Sequence, residues 1–245
     1  MKKLVTLAVA LAAASAMAAV TSDNIVGYRT GTSKMGMNWV APDFTSIGEN
    51  AITLKSIALS GDGVTSMSDD LQILDADGAM TATYVWFSAD DSDNGVDEWF
   101  DMSEWASAND IVLAHGDAVA ITTANPDVPI TVAGEVSKEN VVLTSVAGMN
   151  WLGNVFPTDM TLSSITLSGD GVTSMSDDLQ ILDPDGAMAA TYVWFSADDS
   201  DNGVDEWFDM SEWASASDTV IPAGLGVAVT TANPDVTITV VSPIK

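Results

Sequence analysis

MTATYVWFSADDSDNGVDEWFD, residues 80–101, reads as two strands and the turn between them. Thr81 to Phe87 is rich in the β-branched and aromatic residues that fill a pleated surface. Both of its faces are apolar, which predicts a strand in the middle of a sheet. Asn94-Gly95 is a strong hairpin signal, and Glu98–Met102 is the returning strand. The same stretch returns as residues 188–209 with one change, Thr81 to Ala189.

Working outward, the repeat is larger than the hairpin. Ser60 to Asp110 recurs as Ser168 to Asp218 and differs only at Ala76/Pro184, Thr81/Ala189 and Asn109/Ser217. Downstream, Thr122 to Val128 returns as Thr230 to Val236. Upstream, Gly36-Met37-Asn38-Trp39 returns as Gly148-Met149-Asn150-Trp151, four residues out of step with the main block. The extra residues of the first copy therefore lie between Phe44 and Ser60. Asn24-Ile25-Val26 aligns with Asn140-Val141-Val142. Further strands are expected at Ile25–Thr30, Met37–Ala41, Ile52–Leu59, Leu71–Leu74 and Asp117–Thr123. Val128, Ile130 and Val132 alternate with smaller or polar residues, and Pro129 in their midst predicts an edge strand. Ser103–Ala108 is the one candidate helical turn, with Ser103 as its cap. Many short strands broken by turns predict an all-β chain. The expected architecture is two tandem β-sandwich or barrel-like domains of roughly 100 residues each, over 19–138 and 139–245.

The N-terminus reads as a signal peptide, residues 1–18. Lys2 and Lys3 precede an apolar run, and Ala16-Met17-Ala18 offers a small-x-small cleavage site before Ala19. Its removal takes the net charge from −28 to −30. Such a charge repels phosphate backbones and anionic lipids, so nucleic-acid partners are excluded, and with no second apolar run of membrane length no membrane insertion is expected after cleavage. The absence of Cys removes disulfides and thiolate metal sites. An extracellular, cell-surface or periplasmic location follows.

Two constellations are candidates for binding. Asp90, Ser92, Asn94, the Val96 carbonyl and Asp101 follow the register of a calcium loop, with Gly95 at the sharp turn; Asp198, Ser200, Asn202, Val204 and Asp209 repeat it. Asp97, where such loops carry an apolar residue, and the lack of a preceding helix depart from that pattern. A hairpin with a solvated acidic tip is the simpler reading. The second constellation is aromatic. Trp99 and Trp105, with Trp207 and Trp213, are flanked by acids and are the expected exposed pairs for a sugar ligand; strand tryptophans otherwise pack inside. No catalytic set stands out. The only histidine, His115, is Ala223 in the other copy, and Glu98 with Glu104 is one carboxylate pair among many acids.

The chain resembles uncharacterised secreted β-repeat proteins of environmental bacteria. The resemblance rests on Val26-Gly27-Tyr28, on the aromatic hairpin Tyr84 to Phe87 with Trp99-Phe100, and on the closing Gly134-Glu135-Val136. The second copy lacks the Gly-Tyr pair and the Gly-Glu-Val. The resemblance implies secretion and a duplicated β-domain, and it implies no activity. The functional expectation is therefore an exported, non-enzymatic structural or adhesive protein of the cell envelope or matrix, able to self-associate. A polysaccharide-binding module pair, calcium-dependent or not, is the alternative, and a carboxylate hydrolase comes last.

Overall fold

The structure, a computed structural model, describes residues 26–45, 51–74, 80–114, 116–182 and 188–244. The signal peptide, the Ala19 start and His115 lie outside the described residues. Nearly everything described is strand or turn. The first half contains β1 (Val26–Thr32), β2 (Gly36–Val40), β3 (Ala51–Thr53), β4 (Ile57–Leu59), β5 (Asp70–Leu74), β6 (Met80–Phe87), β7 (Glu98–Asp101), β8 (Ala106–Ser107), β9 (Val112–Ala114), β10 (Val119–Thr123) and β11 (Pro129–Glu135). The second half contains β12 (Val141–Thr144), β13 (Gly148–Gly153), β14 (Met160–Thr161), β15 (Ile165–Ser168), β16 (Asp178–Leu182), β17 (Met188–Phe195), β18 (Glu206–Asp209), β19 (Ala214–Ser215), β20 (Val220–Ile221), β21 (Gly226–Thr231) and β22 (Thr237–Val240).

Each half is a β-sandwich. In the first, a three-stranded sheet in the order β1-β11-β4 faces a six-stranded sheet in the order β2-β10-β5-β6-β7-β8. The second half repeats both orders as β12-β22-β15 and β13-β21-β16-β17-β18-β19. The alternating apolar residues of the facing sheets meet in the middle, as period-two patterning requires. Ile130 and Val132 from one sheet thus share a core with Leu71, Trp86 and Ile121 from the other. The second core has its own members, from Val141 to Val240. β6 lies inside its sheet, as its two apolar faces predict.

Three local expectations are corrected. β11 is the central strand of its sheet, not an edge. Pro129 is tolerated because it opens the strand; its carbonyl still accepts from Ser60 N–H at 3.1 Å. Residues 102–105 form a non-helical turn before β8, and the capping group is Asp101 rather than Ser103. The upstream alignment also moves. Arg29 pairs with Val132 while Val141 pairs with Val240, the repeat of Val132, so Val141 occupies the place of Arg29. Asn24-Ile25-Val26 is therefore not the counterpart of Asn140-Val141-Val142. The shift of register falls between Phe44/Phe156 and the short 3-10 turns Leu54–Ser56 and Leu162–Ser164.

The two sandwiches meet through equivalent residues. Trp39 and Trp151, each on the outer face of its six-stranded sheet, stack in parallel with ring centroids 4.1 Å apart and planes 2° apart. Val40 bridges Leu225, and its equivalent Leu152 bridges Asp117, the equivalent of Leu225. Arg29 packs on Gly224, and Val141 packs on Gly116, the equivalent of Gly224. Each of these contacts has its mirror, as in an isologous two-fold interface. On the axis, a Cβ at Gly153 would lie 2.0 Å from the Cβ of its own equivalent, Ala41.

Candidate functional site

The sequence nominates two regions of the β6–β7 unit, and the structure separates them. The acidic loop, 88–97, joins the strands at one end. Ser92 Oγ accepts Val96 N–H at 3.0 Å and lies 2.6 Å from the Val96 carbonyl, to which it donates. Asn94 Oδ1 also accepts from Val96 N–H. Asp97 Oδ1 closes the loop by accepting Ala89 N–H at 2.7 Å. Asp91 accepts from Ser88 Oγ at 2.9 Å, and hydroxyls of Ser66 and Ser88 hold its carboxyl below the usual range. The second copy repeats these bonds around Ser200, Val204 and Asp205.

Three members of the calcium-loop register, Ser92, Asn94 and the Val96 carbonyl, are therefore gathered in one turn. Asp101 is not with them. It ends β7, roughly 10 Å along the strand from Glu98, and its carboxylate faces the next turn. Asp209 is placed in the same way in the second copy. Among the described residues, no group of three or more His, Cys, Asp or Glu is arranged to hold a metal.

The second region is the turn after β7. Asp101 Oδ1 accepts Ser103 N–H and Ser103 Oγ–H, both at 2.7 Å, and Glu104 N–H at 3.2 Å. The Ser103 hydroxyl, with the two amides, holds this carboxyl below the ordinary value. The cap winds the chain tightly enough that Trp105 adopts φ 52°, in the left-handed region that bulky residues avoid. Trp105 is 66% exposed, with its ring edge-on to Phe100 at 5.6 Å. Trp213 repeats the arrangement at φ 51° and 70% exposure, over Phe208.

Trp99 and Trp207 do not join their exposed neighbours. Both are fully buried, T-shaped against Trp86 and Trp194, and their indole N–H groups donate to the Ile57 and Ile165 carbonyls at 2.7 Å. Strand alternation decides this: Trp99 is cross-strand from Trp86 on the core face, so it shares its burial. The expected exposed pairs therefore reduce to Trp105 and Trp213. Glu98 is 3% exposed beside Phe87, whereas Glu104 stands in solvent beyond the other end of β7.

A further site was missed by sequence reading. Arg29 Nε–H donates to Asp43 Oδ2 at 2.5 Å, and Asp43 is completely buried. Burial pushes the Asp43 carboxyl up, against the pull of Arg29. The only available signal was a lone cation on an edge strand of an acidic protein. Comparison with protein-family models, with curated proteins and with solved structures finds no match for this chain.

Proposed function

We propose that the protein is an exported, non-enzymatic structural or adhesive component of the cell envelope or extracellular matrix, and that Trp105 and Trp213 are its contact points. One observation carries this reading. Each copy places the same large aromatic in solvent on a backbone conformation that costs of order 1 kcal/mol. Each also holds it there with a three-donor carboxylate cap. Neither core needs that ring. Two such points on one chain bind a repetitive surface with avidity. β1 adds a second route to assembly. Among the described residues it is the outer strand of its sheet for seven residues, with Val26 and Tyr28 exposed, and an edge strand of that kind accepts another strand.

The alternative, a pair of carbohydrate-binding modules, is favoured by the acids around the same ring. Asp101 and Glu104 beside Trp105 could accept from sugar hydroxyls while the indole stacks on the sugar's apolar face. One experiment addresses both readings. Labelled protein is sedimented with washed envelope or matrix material from the producing cells, and with insoluble polysaccharides. Trp105→Ala/Trp213→Ala should lose retention, and each single variant should lose most of the avidity. Release by a soluble oligosaccharide selects the carbohydrate reading. Retention of the double variant at the level of the parent protein sinks both.

A further inference from the structure

The symmetry between the sandwiches is broken around Arg29 and Gly31. On one side of the axis there is a cavity of about 440 Å³ between the copies. The first copy lines it with Arg29, Gly31 and Trp39, and the second with Ala189 and Leu225 among others. The equivalents of Arg29, Asp43 and Gly31 in the second copy are Val141, Val155 and Leu143. Val141 and Val155 are buried in its core, and Leu143 packs against that core. The same fold is thus closed with three aliphatic side chains where the first copy carries an ion pair and a glycine. A buried ion pair adds little stability over such a replacement, and Gly31 leaves space that Leu143 fills. The opposite wall is also made less polar, because Ala189 stands where the first copy has Thr81.

The polar atoms on the walls define what would fit. Asn38 Nδ2 is engaged by the carbonyls of Lys34, Gly36 and Ile121. Arg29 Nε is engaged by Asp43; Arg29 Nη2 and the indole nitrogen of Trp39 have no acceptor among the described residues, but both atoms are closed off and do not face the cavity. Arg29 Nη1 lies 3.3 Å from where a Gly31 Cβ would stand. Arg29 Nη1 is thus the charged donor beside the space that Gly31 leaves, and the Thr32 hydroxyl lines the same largely apolar space. Asp43 already neutralises Arg29, and the chain is strongly negative, so a second carboxylate is disfavoured twice.

We propose that this cavity is a binding site for an uncharged, mainly apolar small molecule that presents a carbonyl or similar acceptor oxygen to Arg29. Its size lies within the range of small-molecule sites. The site belongs to the junction and is separate from the exposed tryptophan turns.

The test uses the full mature chain and a neutral fluorescent ketone, 6-propionyl-2-dimethylaminonaphthalene, whose emission shifts to the blue in an apolar site. Two competitors bracket the chemistry: 2-ethylnaphthalene, with no acceptor, and naphthalene-2-carboxylate, an anion. The expected result is one site per chain, with 2-ethylnaphthalene and the carboxylate competing poorly. Gly31→Leu, which copies Leu143, should abolish the blue shift. Arg29→Val/Asp43→Val, which copies Val141 and Val155, should weaken the ketone about tenfold, the loss of one hydrogen bond. It should leave 2-ethylnaphthalene unchanged. Near-UV circular dichroism of the Trp39–Trp151 stack reports whether each variant keeps the junction. No saturable binding to the parent protein, or unchanged binding to a folded Gly31→Leu variant, overturns the proposal. Equal affinity for ketone and hydrocarbon, or tighter binding of the carboxylate, overturns the assigned ligand class.

Discussion

Replacing Arg29 and Asp43 by valine, singly and together, forms a double-mutant cycle whose end point already exists in the second copy. Arg29→Val leaves the Asp43 carboxyl at zero exposure without its cation. Breaking a buried pair in this way costs about 3–5 kcal/mol. For a sandwich of this size that lowers Tm by more than about 10 °C. Asp43→Val is milder, because the Arg29 side chain keeps 23% exposure and can be hydrated in part. About 1–3 kcal/mol, the cost of an unsatisfied polar group, is expected. The double variant should return to within about 1 kcal/mol of the parent or exceed it. Burial raises the Asp43 carboxyl above its ordinary value and Arg29 opposes the rise, so Arg29→Val should raise it further. Between the unfolded and the folded pKa, the native state holds a proton that the unfolded chain lacks. Stability then falls as pH rises through that window. The deficit of Arg29→Val should accordingly shrink in acid and grow as pH rises through that window. Urea denaturation of the four proteins, followed by circular dichroism at several pH values, measures each arm. A double variant as unstable as Arg29→Val would refute the equivalence with Val141 and Val155.

Gly153→Ala should prise the copies apart, because the new Cβ would meet Ala41 Cβ at 2.0 Å and the Leu225 carbonyl at 3.1 Å. The exciton signal of the stacked tryptophans should vanish while each sandwich keeps its own melting transition; an intact signal would contradict the contact. Trp105→Gly should hold or raise stability by up to about 1 kcal/mol, since glycine accepts φ 52° freely, while adhesion falls; a clear loss of stability in urea would mean that the ring supports the core. The Asp101 and Asp209 carboxyls are held low by their serine partners, so their contribution is present above the ordinary carboxylate pKa and disappears as pH falls through the depressed folded value. Acid titration should therefore release the turns, read as a change in Trp105 and Trp213 fluorescence, only below the usual Asp range. Asp101→Asn/Asp209→Asn should remove that step.

Strand content and the duplication were legible because both rest on local pattern. Thr81–Phe87 carries its own β signal, and a repeated block needs no structure to be seen. Trp99 was misread because its acidic neighbours suggested solvent, whereas facing is set by its cross-strand partner Trp86. Pro129 was misread because a missing N–H suggests an edge, and a central strand can also begin at such a residue. The role of Asp101 could not be told from its place in a calcium-like spacing, because the strand that follows the loop carries it to the opposite end of the hairpin. The Arg29–Asp43 pair was invisible for a different reason. Its meaning comes from comparison with Val141 and Val155, and that comparison needs the strand register, which the sequence alignment had shifted by four residues.

The contact of Ala41 with Gly153 has a consequence for how two copies came to share one chain. In a dimer of identical subunits, a residue on the axis meets itself. Two alanines at 2.0 Å could not coexist there, and an all-glycine axis would be the remaining choice. Covalent linkage lifts that restriction, because the halves no longer have to carry the same residue at the seam. It also holds them at high effective concentration, so the seam can be altered without the pair falling apart. Fusion thus turns a symmetric joint into a place where one half can specialise, and the departures at Arg29, Gly31, Asp43 and Ala189 gather around that joint.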